Sequence, residues 1–126
     1  METEKFELEQ PSREEMIAAI EKQRPDMGEK LRMLLAKESF LKSKNVYGEL
    51  YADRQVNICY DAIFQTEYLR ARILEVTQEG ARSVKEIAER LGKPPAEILR
   101  EVVELRRKNL LSIERVEDRT PLYRAS

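Results

Sequence analysis

The side chains with the most chemistry to offer in this chain are its cations. Arg82, Lys85, Arg100, Arg106, Arg107, Lys108, Arg115 and Arg119 all fall in the C-terminal half. A guanidinium makes paired hydrogen bonds to phosphate or to a guanine edge, and an ammonium attracts phosphate as a point charge. Other reactive types are scarce. The absence of histidine removes the usual general base, the commonest metal ligand and the ordinary pH switch. The one cysteine, Cys59, cannot form an internal disulfide, and thiolate metal sites need several ligands. It lies between Ile58 and Tyr60 on an apolar stripe, which favours burial, and only Arg54 is near enough in sequence to activate the thiol. Asp53, Asp61 and Glu67 have neither a metal-binding spacing nor a glycine-rich phosphate loop beside them. No catalytic constellation emerges, no cofactor is expected, and an enzyme is the least supported class.

The elements that must position the cations can be read from Ser83 onward. Ser83-Val84-Lys85-Glu86 is a capping box, in which the Ser83 hydroxyl accepts from the Glu86 amide and the Glu86 carboxylate accepts from the Ser83 amide. Ile87, Ala88 and Leu91 give that helix one apolar face, and Gly92 ends it in the left-handed conformation. Lys93-Pro94-Pro95 restarts the chain, since proline is tolerated in a first helical turn. Ile98, Leu99, Val102, Val103 and Leu105 carry the apolar positions of the second helix, and Asn109 tolerates positive φ after its last turn. Leu111-Ser112-Ile113 alternates, Glu117-Asp118-Arg119-Thr120 is polar, and Pro121-Leu122-Tyr123 returns as a second strand.

Upstream, Ser12-Arg13-Glu14-Glu15 is another capping box, followed by Met16, Ile17 and Ile20 at helical spacing until Pro25 stops the helix. Asp26 is expected to cap the next helix, with Met27, Leu31, Leu34 and Leu35 as its stripe. Residues 42–45 resemble a connector. Cys59, Ala62, Ile63, Thr66, Leu69, Ile73 and Val76 recur at steps of three and four, which predicts one continuous helix ending at Gly80. The expected organisation is a mobile tail over 1–11, a helical extension over 12–54, and a winged domain with a long first helix over 55–126.

At 126 residues with 37% charged side chains, the chain has room for a modest core. Residues 1–68 hold 10 Lys/Arg against 14 Asp/Glu, a net of −4, and residues 69–126 hold 13 against 10, a net of +3. No apolar run approaches membrane-spanning length, and no signal-peptide pattern opens the chain, so a cytoplasmic protein without membrane contact is expected.

The fold class expected is mainly α, with N-terminal helices followed by a winged helix-turn-helix carrying a small β-hairpin wing. The stretch 84–92, together with Glu104-Leu105-Arg106-Arg107-Lys108-Asn109-Leu110-Leu111 and Thr120-Pro121-Leu122-Tyr123-Arg124, resembles winged-helix transcription regulators of the ArsR and MarR kind. Asn109 stands where those families have glycine. The resemblance covers under half of the chain and implies a DNA-binding regulator; the metal-sensing cysteines and histidines of some ArsR-type proteins have no counterparts. A second, vaguer similarity, at Glu49–Arg54 and Cys59–Ala62, is to small helix-turn-helix polypeptides that accompany heterodisulfide-reductase-like enzymes, and implies a protein-docking role.

Two functional readings follow. In the first, a homodimer binds double-stranded DNA. Arg100 reads a base, the remaining cations hold phosphates, and Tyr47, Tyr51, Cys59, Tyr60, Ile63 and Phe64 lie in the dimer or partner interface. In the second, the winged unit docks a protein partner. The outward surface of the second helix is expected to be Ala96, Glu97, Arg100, Glu101, Glu104, Arg107 and Lys108, with Glu97, Glu101 and Glu104 as an acidic stripe and Arg100 paired to Glu104. That stripe would repel DNA and favours the second reading.

Overall fold

The capping boxes and breakers divide the chain where the sequence places them. The computed structural model describes residues 11–43 and 50–126, with side chains described outside 38–43 and 50–59. The elements are α1 (Arg13–Gln23), α2 (Pro25–Ser43), α3 (Leu50–Glu79), α4 (Val84–Leu91), α5 (Pro95–Arg107), β1 (Leu111–Glu117) and β2 (Thr120–Ala125). The chain is mainly helical and ends in a two-stranded antiparallel hairpin, the arrangement of helices with a small wing. It divides into two compact units, residues 1–68 and 69–126.

In the first unit, Ser12 caps α1 with both bonds of its box in place. The helix ends at Gln23, and Arg24 serves both neighbours: its amide donates to the Ile20 carbonyl, and its own carbonyl accepts from Gly28. Pro25 therefore opens α2, and Asp26, expected as its cap, sits inside the first turn. There its charge still favours the helix dipole. Gly28 is where α1 and α2 meet, since a Cβ on it would lie 2.1 Å from Glu21 Cγ. Among the described residues of this unit, Met16, Ile17, Ile20, Leu31 and Phe64 are the buried apolar ones. Charged pairs fasten its rim. Arg32 binds both oxygens of Glu21, at 3.0 and 2.8 Å, and holds that carboxyl below its ordinary range. Arg24 donates to Glu67 at 2.8 Å, and Arg13 donates to Asp61 while covering the Phe64 ring.

The second unit is built on the last turns of α3. Leu69, Ile73, Leu74 and Val76 of α3 pack with Ile87 and Ala88 of α4, Ile98, Val102 and Leu105 of α5, Leu111 of β1 and Tyr123 of β2. Thr77 is fully buried among them, and its hydroxyl donates to the Ile73 and Leu74 carbonyls. Both helices of the turn end alike. Gly92 takes φ 66° and Lys93 donates back to Ala88; Asn109 takes φ 62° and Leu110 donates back to Leu105. These are Schellman closures, one with glycine and one with the asparagine that stands in for it. In the hairpin the register slips between Ile113 and Arg115, so alternation along β1 is broken and Ile113 and Val116 are exposed.

Candidate nucleic-acid interface

Helix α5 is the element that a helix-turn-helix presents, and its surface differs from the one expected. Ile98, Glu101, Val102 and Leu105 are the buried set. They fall at i, i+3, i+4 and i+7, a full apolar stripe with one carboxylate in it. Glu101 is only 6% exposed and accepts from Arg70 Nε of α3 at 2.7 Å. The acidic stripe expected on the outside therefore does not exist. Glu101 faces the interior, and Glu97 and Glu104 are half-buried on the flank. Arg100 does not pair with Glu104. It approaches the far oxygen of Glu101 at 3.7 Å, and Glu104 pairs instead with Arg107 at 3.2 Å.

Leu99 and Val103, expected within the apolar face, are each 47% exposed. They lie one position past Ile98 and Val102, which is 100° around the helix and off the buried stripe. Apart from Pro95, the exposed residues of α5 are Ala96, Leu99, Arg100, Val103, Arg106 and Arg107. That face carries three guanidiniums and three aliphatic side chains, and the Glu104 carboxylate reaches it from the flank through its pair with Arg107.

The other cations separate into two kinds. Arg82 is a brace within the fold and leaves the phosphate set. Its backbone pairs with Tyr123 on the free side of β2, at 2.9 and 2.7 Å, and its Nε donates to the Val76 carbonyl at the open end of α3. Arg115 is held between Glu114 and Glu117, which raises its already high pKa further and neutralises its field. Lys85, Arg106, Lys108 and Arg119 are exposed and make no ion pair with the described residues. Arg119 stands at the wing tip, where Asp118 and Arg119 both have positive φ, 49° and 65°. Such a two-residue turn follows the twist of the ribbon, but it favours Asn-Gly and costs about 1 kcal/mol for a residue like arginine.

Of the residues expected at a dimer or partner interface, the described ones differ in exposure. Tyr47 lies outside the described residues, as do the side chains of Tyr51 and Cys59. Phe64 is 1% exposed and belongs to the interior of its own unit, where the Arg13 guanidinium lies 4.6 Å from its ring. Tyr60 is half-buried, and Ile63 is exposed. Among the described residues no group of three or more His, Cys, Asp or Glu side chains is placed to hold a metal ion. No described helix is long and apolar enough to cross a membrane.

The Leu99–Val103 pair and the inward turn of Glu101 were the features missed from sequence. The signal for Glu101 was present, because the stripe Ile98, Val102, Leu105 requires its fourth member at position 101. Comparison with protein-family models and with curated proteins returns no match to this chain.

Proposed function

We propose that this chain is a cytoplasmic, dimeric winged-helix protein that binds double-stranded DNA through α5 and the wing and acts as a transcription regulator. One observation carries the reading: the exposed face of α5 holds Arg100, Arg106 and Arg107, with Glu101 turned away onto Arg70 and Glu104 at the flank paired with Arg107. A helix of that composition suits a groove walled by phosphates. Arg100, with 72% of its side chain exposed, is the base-reading candidate. Lys85, Arg106, Arg107, Lys108 and Arg119 are the phosphate contacts. In the N-terminal unit the exposed Ile63 and Met33 offer apolar surface to a second copy.

Titration of random duplex DNA at two salt concentrations tests the reading. Affinity is expected to fall steeply with salt, since each phosphate neutralised releases about 0.9 counterion. Removing Lys108 or Arg119 should each flatten the slope by about one. Indifference to salt, or no binding at low salt, removes the reading. A second reading rests on the aliphatic pair Leu99 and Val103, which fits a partner protein's groove as well as DNA. Recovery of a stoichiometric protein partner without nucleic acid, lost on Leu99→Ser, would support it.

A further inference from the structure

We propose that Leu99 and Val103 read thymine methyl groups in the major groove, while Arg100 reads a guanine beside them; this rests on the DNA-binding reading of α5. Residues four apart on a helix are neighbours, so the two aliphatic side chains form one patch. Each stays 47% exposed although the residue before it, Ile98 or Val102, is fully buried in the core. An isolated exposed leucine needs no explanation, but this pair sits at the centre of the presented face. Ala96 extends the patch, and Arg100, Arg106 and Arg107 surround it. An apolar protein groove would have to desolvate those guanidiniums. A DNA major groove suits both chemistries at once, with phosphate walls for the arginines and an apolar group on its floor. Only thymine puts a methyl group there.

The spacing fits. Four residues rise about 6 Å along a helix, which spans nearly two base-pair steps. The site expected is therefore two T·A pairs within two steps of each other, next to a G·C pair. Arg100 is available for that guanine. The near oxygen of Glu101 is taken by Arg70 at 2.7 Å, and the far one lies 3.7 Å from Arg100, too long for a hydrogen bond.

The test begins with selection of duplexes from a random pool by the full chain. The winning duplex is then remade with deoxyuracil for thymine, which removes only the methyl groups, or with 7-deazaguanine for guanine. Each methyl lost is expected to weaken binding about 3- to 4-fold. Loss of the guanine acceptor is expected to weaken it about 10-fold. Leu99→Ala with Val103→Ala should bind the thymine and deoxyuracil forms alike, with the salt slope unchanged. Arg100→Ala should ignore the guanine change. Equal binding of both forms by the unaltered chain, or full methyl dependence in the double variant, overturns the proposal while salt-sensitive duplex binding stands. If no duplex is retained even at low salt, the DNA reading falls with it.

Discussion

Helices α4 and α5 are neighbours in one unit and unlike in surface. Helix α4 obeys every local rule. A serine caps it, a glutamate completes the box, Ile87 and Ala88 are buried, and Lys85, Glu86, Glu89 and Arg90 face solvent. Helix α5 breaks the rules on both faces. It has no side-chain cap at Pro94, it buries Glu101, and it exposes Leu99 and Val103. A sequence consistent at every level needs no function to explain it, whereas departures concentrate where binding has to occur. The contrast is what places the proposed interface on α5 rather than on α4.

The strongest way to break this contrast is to attack the buried charge. Glu101→Ala removes the 2.7 Å bond between the buried Glu101 carboxylate and Arg70 and should destabilise the C-terminal unit by about 3 kcal/mol, measured by urea unfolding. A loss under 1 kcal/mol would mean that the pair is incidental. Adjacent residues of α5 should then diverge. Ile98→Ala is expected to cost about 2–5 kcal/mol, while Leu99→Ala should stay within about 0.5 kcal/mol and change binding instead. Similar losses at both would put Leu99 in the core.

On the scaffold side, Ser83→Ala should cost about 1 kcal/mol. The bond from the Ser83 amide, first among its causes, lowers the Glu86 carboxyl below its ordinary 4.5. The box therefore stabilises fully above that ordinary value and is lost as pH falls through the lowered one, so S83A should flatten the acid limb of a stability profile. At the wing, Arg119→Gly relieves the left-handed backbone and should add up to about 1 kcal/mol of stability while weakening duplex binding. A variant that gains stability and keeps its affinity would remove the wing tip from the interface.

Local features were legible in the sequence. Both capping boxes, the breaks at Pro25 and Gly92, the end of α3 near Gly80 and the left-handed Asn109 depend on residues close together in the chain. Missing features depended on distance. Nothing near Glu101 reveals Arg70, which lies 31 positions earlier, and the bulge after Ile113 shifts alternation without a glycine to mark it. Arg82 was misread for the same reason. A single bridged residue has no period, so its strand-like role appears only when Tyr123 comes beside it.

That bridge has a kinetic consequence. The α4–α5 turn closes through contacts near in sequence, but the Arg82–Tyr123 bridge closes a loop of about 40 residues and so carries a larger entropic cost, and it is expected to form after the turn. In native-state hydrogen exchange the Arg82 and Tyr123 amides should open at a lower free energy than the amides of α5, so the wing unlatches while the helices hold.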